Sequence, residues 1–213
     1  MLLLSEVSKT YGTRTVLRSI SLGCGAGQSV VVVGENGSGK STLLKIAAGL
    51  LECDRGEVLL CDEPIAPGRV RGRRHLGYLP DAADAFPDLT VSELVALTLS
   101  LKQAIVAPSV ITNWRDRLGL GPSFGHRLRA LSFGQRKRAF LLSALLGDPW
   151  LLVLDEPSNG LDPAGSGLVV DIVSERRAAG SGTLLASNDA AFVSQIGGAR
   201  WRIVEGRLQE VPA

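Results

Sequence analysis

The stretch of sequence that decides the fold is Gly34-Glu35-Asn36-Gly37-Ser38-Gly39-Lys40-Ser41-Thr42. It fits the pattern G-x-x-x-x-G-K-[ST], in which backbone N–H groups turn inward around phosphate oxygens and glycines leave room for them. The apolar, β-branched run Ser29–Val33 precedes it and predicts a strand buried on both faces. A helix is predicted from Lys40 to about Ala48. Strand, loop and helix in this order are the context that a phosphate-binding loop requires.

The side chains of this loop have separate predicted roles. Lys40 would reach the β- and γ-phosphates of a nucleotide, Ser41 would ligate Mg²⁺, and Thr42 would help to hold the phosphates. The N-terminus of the following helix adds a partial positive charge. We therefore predict that the chain binds ATP together with Mg²⁺.

Two Asp-Glu-Pro triplets begin at Asp62 and Asp155, and their contexts differ. The second follows Trp150–Leu154, an apolar run that predicts a parallel strand whose carboxyl end lies beside the phosphate loop. Asp155 is expected to support the Mg²⁺ shell, and Glu156 to polarise the attacking water. The first triplet leads into a turn-rich segment, so Asp62 and Glu63 are expected to be solvated turn residues.

Composition restricts the possible functions. The 23 basic and 21 acidic side chains give a formal charge of +2, which argues neither for nor against an anionic partner such as nucleic acid. The three cysteines form no CxxC pair, so neither a disulfide framework nor a zinc site is predicted. The longest apolar runs fall well below the roughly 20 residues that span a bilayer, and no export signal is expected at the N-terminus. Any membrane role would then use a partner.

A second diagnostic motif is Leu131-Ser132-Phe133-Gly134-Gln135. It resembles the LSGGQ signature of ABC ATPases, with Phe133 in place of the first glycine. Ser132 and Gln135 also have the spacing of a capping box, which predicts the start of a helix. The cations at 136–138 would lie in its first turns, where the helix dipole disfavours positive charge. We expect either an anion nearby or a solvated basic face.

The resemblance to ABC ATPases extends over nearly the whole chain. Tyr11 matches the aromatic residue that stacks on adenine in the family, Ser158–Asp162 resembles the D-loop, and Asp189 follows the position of the switch residue. The fold implied is α/β, a P-loop NTPase core with a mixed or parallel sheet, an N-terminal antiparallel β lobe and a helical signature subdomain.

We expect one ABC ATPase domain over residues 1–213. Residues 1–80 and 148–213 would form the α/β core with its β lobe, and residues 81–147 the mostly helical subdomain. Local patterns agree with this division. They predict hairpin strands in Leu2–Leu22, a strand at Gly56–Leu60, a helix from Thr90 to about Leu101 opened by a Thr90–Glu93 capping box, a strand at Gly182–Ser187 and a C-terminal hairpin around Arg202–Val211.

The resemblance also implies ATP hydrolysis coupled to membrane transport. In the family, ATP on one P-loop is closed over by the signature motif of a second subunit arranged head to tail. Ser132, Gly134 and Gln135 would contact the partner's ATP, while Tyr11 and the D-loop residue Asp162 complete nucleotide binding. The expected partners are a second ABC ATPase subunit, identical or different, and transmembrane permease subunits, without nucleic acid. The expected location is the cytoplasmic face of the membrane.

The segment after Tyr78-Leu79-Pro80 corresponds to the Q-loop region, which in the family receives a helix of the membrane subunit. The apolar residues expected to contribute to this groove are Ala82, Ala83, Ala85, Phe86, Pro87 and Leu89. The alternative is that they pack the join between the two lobes.

Two positions depart from the family pattern. Asp81 stands where the Q-loop glutamine is expected, and Asn188 where a histidine usually contacts the γ-phosphate. Asp81 can still accept a water or Mg²⁺ contact but adds negative charge, and Asn188 keeps an N–H donor with a shorter reach. Slower hydrolysis is therefore expected. A catalytically weakened regulatory or scaffold subunit and a non-transport ABC ATPase remain the alternative functions.

Overall fold

Within residues 1–69 and 72–212, which the computed structural model describes, the chain forms ten strands and six α-helices. Val70, Arg71 and Ala213, which belong to the predicted domain range, lie outside the described residues. The strands are β1 (Leu2–Tyr11), β2 (Arg14–Cys24), β3 (Ser29–Val33), β4 (Arg55–Leu60), β5 (Glu63–Pro64), β6 (Leu76–Leu79), β7 (Leu151–Asp155), β8 (Gly182–Ala186), β9 (Ala199–Val204) and β10 (Arg207–Val211). The helices are α1 (Lys40–Ala47), α2 (Val91–Lys102), α3 (Pro108–Arg117), α4 (Phe133–Leu145), α5 (Pro163–Ala178) and α6 (Ala190–Ile196).

The strands form two sheets. The larger has the order β10-β9-β3-β8-β7-β6, with parallel neighbours except for the antiparallel pair β9 and β10. The smaller is antiparallel, in the order β2-β1-β4-β5. This arrangement confirms the predicted mixed sheet and N-terminal antiparallel lobe.

The larger sheet is covered on both faces, which explains why its central strands are apolar throughout. Val30 and Val32 of β3 face a core shared with α1 and the antiparallel sheet. Val31 faces a second core, shared with α2, α4, α5 and α6. Successive residues of a strand point to opposite faces, so one short run serves both cores.

Helices α2, α3 and α4 lie between β6 and β7 in chain order. The predicted capping box opens α2, because Thr90 Oγ1 accepts from the Glu93 N–H at 3.2 Å and Glu93 Oε2 accepts from the Thr90 N–H at 2.7 Å. The division of the chain at residues 81 and 147 stays a prediction. No helix in the described part of the chain is both long enough and apolar enough to cross a bilayer.

Two segments differ in extent from the sequence prediction. The C-terminal hairpin begins at Ala199 rather than near Arg202, because β9 also pairs in parallel with β3 and extends the main sheet. The first Asp-Glu-Pro triplet does form a turn, as predicted, but Glu63 and Pro64 continue as a short strand that pairs back onto β4. Both differences come from pairing with a distant strand, which local patterns do not encode.

Replacing one glycine of the sheet tests how closely α4 packs on it. A Cβ at Gly77 in β6 would collide with the carbonyl oxygen of Ala144. We expect Gly77→Ala to lower the free energy of unfolding by about 1–3 kcal/mol. The matched control is Gly167→Ala in α5, where an added Cβ meets nothing within 4 Å. It should raise that free energy by about 0.5–1 kcal/mol. Urea unfolding measures both, and equal effects would contradict the close packing.

Candidate functional site

The carboxyl ends of β3, β7 and β8 meet at one edge of the larger sheet. The ladder continues beyond the strands, because the Glu156 N–H donates to Ala186 O at 2.9 Å and the Ser187 N–H to Val32 O at 3.2 Å. A cleft of about 800 Å³ opens at this edge. Its lining includes Asn36, Gly37, Gly39, Lys40, Ser41, Thr42, Asp81, Glu156, Ser158, Asn159, Gly160, Asn188 and Asp189.

The loop before α1 depends on glycine where it passes β2. Gly39 has a φ of 110°, and a Cβ there would approach Val16 Cγ1 to 2.8 Å. The left-handed backbone and the close approach to β2 both favour a residue without a side chain. The loop therefore lies close against the antiparallel sheet, and its residues Asn36, Gly37 and Gly39 line the cleft.

Lys40, the first residue of α1, is held over this loop. Its side chain is buried, and Nζ donates to Gly34 O at 2.8 Å and to Glu35 O at 3.3 Å. The same nitrogen lies 3.7 Å from Glu156 Oε1. The predicted phosphate-binding cation and the predicted base therefore face each other across the cleft.

Asp155, at the end of β7, is 1% exposed, and its Oδ1 has no hydrogen-bond partner among the described residues. Burial is the largest cause that raises its pKa, and the charges of Asp81 and Glu156 add to the effect. Hydrogen bonding with Ser41 and the charge of Lys137 act in the opposite direction. A buried acceptor without a partner, beside a serine hydroxyl, fits a cation ligand.

Mg²⁺ usually takes one or two carboxylates together with substrate phosphates and waters, rather than a cage made only of protein. Within the described residues, no group of three His, Cys, Asp or Glu side chains is arranged to hold a metal ion. Ser41 and the buried Asp155 would fit this sparser donor set beside a bound nucleotide.

Glu156 has a φ of 44°, which is uncommon for a residue with a side chain and is typical of constrained functional positions. Its Oε2 accepts from the Asn188 N–H at 3.1 Å. The carboxylate is thus held between the end of β8 on one side and Lys40 on the other.

Asn188 and Asp81 occupy opposite parts of the cleft. Asn188 Nδ2 donates to Asn36 Oδ1 at 2.8 Å, which connects the loop after β8 to the phosphate loop. Asp81 follows β6, and its Oδ1 accepts from Asn159 Nδ2 at 3.1 Å. Both residues that depart from the family pattern therefore line the predicted phosphate site.

The other predicted site residues lie outside the described lining of this cleft. Ser132 and Gln135 form the predicted capping box of α4, with the Gln135 N–H donating to Ser132 Oγ at 3.2 Å. Gly134 packs against the backbone of Gly160. Asp162 caps α5 by accepting from the Gly165 N–H.

Tyr11, at the end of β1, is 50% exposed and pairs with Arg14, which does line the cleft. An exposed ring at the rim of the cleft suits the predicted stacking on adenine. These positions leave the assignments of Tyr11, Asp162 and the signature residues as predictions.

The three cations after the signature behave differently. Lys137 is 1% exposed and lies beside Asp81, so the solvated basic face is wrong for this residue and an anion is nearby instead. Arg138 Nη2 bonds to Asp162 Oδ1 at 3.0 Å, and Arg136 Nη1 donates to Leu131 O at 2.6 Å. Neither Lys137 nor Asn159 was predicted by itself to border the site. Asn159 lies within Ser158–Asp162, the segment that resembles the D-loop, and the signal for Lys137 was the unfavourable position of cations in the first turns of a helix.

A larger cleft of about 1450 Å³ adjoins the first beyond Asn36 and Gly37. Arginines of β2 and β9 line it, including Arg18 and Arg200, but its described lining lacks Lys40 and Glu156. Chemistry rather than size therefore selects the smaller cleft as the candidate site.

The fold and the loop together define a nucleotide-binding domain of the P-loop class. The ABC transporter family model matches residues 17–159. The zinc import ATP-binding protein ZnuC of Paramagnetospirillum magneticum is 36% identical over 194 residues, covering 91% of this chain and 70% of that protein. The Nod factor export ATP-binding protein I of a Bradyrhizobium species is 32% identical over 184 residues, covering 85% of this chain and 60% of that protein. The chain belongs to the ABC transporter ATP-binding family.

Solved structures agree on the fold. An ATP-binding subunit of an ABC transporter superposes with a TM-score of 0.88 at 25% identity, covering 98% of this chain and 88% of that chain. The cassette MJ0796, in a dimeric post-hydrolysis state bound to ADP and Pi, superposes with a TM-score of 0.89 at 23% identity. That match covers 99% of this chain and 98% of the other, and it confirms the predicted fold class.

Replacing the lysine of the loop tests the site directly. We expect Lys40→Ala to weaken ATP binding by about 10- to 100-fold, because it removes a charged donor to the phosphates. The matched control is Lys45→Ala, which changes an exposed lysine of the same helix and should bind ATP as the parent does. Isothermal titration with Mg-ATP measures both. If Lys40→Ala binds ATP with the affinity of the parent, the assignment of this loop as the phosphate-binding site is wrong.

Proposed function

We propose that this chain is the ATP-binding and ATP-hydrolysing subunit that energises an ABC membrane transporter. The observation that carries the proposal is the meeting of Lys40, Asp155 and Glu156 at one sheet edge beside the phosphate loop. In this proposal Lys40 would bind phosphate, Asp155 would help to hold Mg²⁺, and Glu156 would accept a proton from the attacking water. Membership of the ABC transporter family supports the coupling to transport.

Binding would begin with the loop amides and Lys40. Nζ of Lys40 already lies over the cradle, bonded to two loop carbonyls, so a short movement brings it onto the β- and γ-phosphates. Tyr11 at the rim would stack on the adenine ring. Mg²⁺, held by Ser41 and Asp155, would neutralise phosphate charge.

Glu156 is placed to act as the general base. Its Oε2 is fixed by the Asn188 N–H, while Oε1 faces Lys40 at 3.7 Å. A phosphate that attracts Lys40 weakens that lysine's hold on Oε1, and this oxygen can then accept a proton from water. The base would therefore become available when the nucleotide is bound.

A head-to-tail dimer would complete the site. Ser132 is exposed at the start of α4, where its hydroxyl and the helix N-terminus can meet phosphate carried by another subunit. Gly134 and Gln135 follow it at the same helix end. The dimeric MJ0796 cassette, which has the same fold, is consistent with this assembly.

The membrane partner would dock on the segment after Asp81. Ala82, Ala85, Phe86 and Pro87 are exposed there, whereas Ala83 is buried in the core and is removed from the predicted groove. Phe86 is half exposed, and its φ of 56° is uncommon for a residue with a bulky side chain. A permease bound at this surface would hold the chain at the inner face of the membrane.

A second candidate function is a regulatory or scaffold subunit that binds ATP and turns it over slowly. Asp81 and Asn188, which both line the cleft, favour it. Asp81 adds negative charge where phosphates bind, and Asn188 directs its amide at Asn36 within the loop. Measured turnover separates this candidate from the first.

The base is tested by Glu156→Gln. We expect ATP binding to be retained and single-turnover hydrolysis to fall by about 10²- to 10⁴-fold, because the amide cannot accept the proton. Glu63→Gln, in the other Asp-Glu-Pro triplet, makes the same chemical change in the short strand β5, outside the described lining of the cleft, and should keep the parent rate. Hydrolysis at the parent rate by Glu156→Gln would assign the base elsewhere.

The switch position is tested by Asn188→His. An imidazole reaches farther than the carboxamide and can donate to a phosphate oxygen. One such transition-state hydrogen bond is typically worth about 10²-fold or more in rate, so single-turnover hydrolysis should rise while ATP affinity changes little. Measurements at saturating Mg-ATP compare the parent, this variant and the double variant Asn188→His/Asp81→Gln. If neither variant exceeds the parent, the scaffold function is favoured.

A further inference from the structure

Lys137 is a buried cation that the proposed mechanism does not use. It lies in the second turn of α4, and its side chain is 1% exposed. Its ammonium group donates to three backbone carbonyls, those of Pro80 at 3.2 Å, Asp81 at 3.0 Å and Asp155 at 3.2 Å. The hydrogen-bonding capacity of the group is thus filled by the ends of β6 and β7.

Filled hydrogen bonds do not cancel the charge. A buried ammonium ion stays costly unless an anion lies close to it. Asp81 Oδ1 is 3.7 Å from Lys137 Nζ and also accepts from Asn159. Burial lowers the pKa of Lys137, and the charges of Asp81, Asp155 and Glu156 oppose that shift. Asp81 is therefore the nearest partner for this cation.

The contact joins three segments that border the cleft. Lys137 belongs to the helix that begins at the signature, Asp81 to the segment after β6, and Asn159 to the loop after Glu156. The side chain of Asp81 lies between the other two and is the point through which they meet.

Charge is only partly balanced at this place. Near the cleft, the three carboxylates of Asp81, Asp155 and Glu156 face the two ammonium groups of Lys40 and Lys137, which leaves one negative charge in excess. Without Lys137, the additional carboxylate of Asp81 would repel the phosphates of an entering nucleotide. With it, the pair of Lys137 and Asp81 contributes no net charge.

We propose that Lys137 is a positioning residue that fixes Asp81 at the edge of the nucleotide site and neutralises its charge. The aspartate can then occupy this position without weakening nucleotide binding. This inference rests on the proposed function for its nucleotide arm, whereas the pairing itself can be tested without nucleotide.

The nucleotide arm measures the binding of ATP by isothermal titration in EDTA. Because EDTA removes Mg²⁺, only the charges of the protein then act on the phosphates. Lys137→Gln should weaken binding by about three- to tenfold, and Asp81→Asn should strengthen it by about the same factor. The double variant should return to within about twofold of the parent. A merely structural role would weaken binding in both single variants. That outcome, or a double variant that follows either single one, overturns the proposal.

The second arm measures urea unfolding without nucleotide. Asp81→Asn should lower the midpoint in the parent and have a clearly smaller effect in the Lys137→Gln background, because the partner is already gone. Asp84→Asn is the matched control, since it removes an exposed carboxylate from the same segment and should act equally in both backgrounds. An Asp81→Asn effect that is equal in both backgrounds overturns the proposal.

The two arms separate the possible failures. A parent chain that binds no ATP contradicts the proposed function, while the unfolding measurements still test the pair. If Lys137→Gln does not fold, Lys137→Met takes its place, because methionine fills similar volume without charge. Folding restored by adding Asp81→Asn supports the pairing, and no restoration with either replacement overturns it.

Discussion

The parallel pairing of β3 with β8, and of β8 with β7, is the constraint on which the rest of this structure depends. Parallel strands end at the same edge, so the residues that follow them are brought together although they are far apart in the chain. Gly34, Glu156 and Ser187 each come directly after a strand of this set. Two cores, one on each face of the sheet, fix that edge and the loops that leave it.

Charges at such an edge must be paired, because burial makes an isolated charge costly. Two short networks of hydrogen bonds and ion pairs provide partners for these charges. Lys40 lies between the loop carbonyls and Glu156, and Glu156 accepts from Asn188. On the other side of the cleft, Lys137 and Asn159 both hold Asp81. Each network contains one residue that departs from the family pattern, and in each the replacement has found a partner within the site.

A feature could be predicted from the sequence when the residues that form it are close together in the chain. The phosphate loop, the strand before it and both capping boxes are contained in a few consecutive residues, and they were predicted with nearly correct bounds. The mixed or parallel sheet and the N-terminal antiparallel lobe followed from the family resemblance, whereas the order of the strands within each sheet was not predicted. The contact between Lys137 and Asp81 joins residues 56 positions apart, and no periodicity encodes it. The burial of Ala83 and the early start of β9 at Ala199 likewise depend on distant neighbours.

Asn188 and Asp81, the two residues that depart from the family pattern, also differ in which contacts and charges of the site they preserve. Asn188 keeps the backbone contact to Glu156, because that bond uses its N–H group and any residue except proline supplies one at this position. Its side chain instead bonds to Asn36, a neutral pair that adds no charge to the site. Asp81 changes the charge itself, so its effect depends on a second residue being present to cancel it. Asn188 therefore changes only how far the side chain at one position can reach. The effect of Asp81, in contrast, depends on the charge of Lys137 beside it. A single residue compared with a family pattern shows the first kind of change, and only the packed structure shows the second.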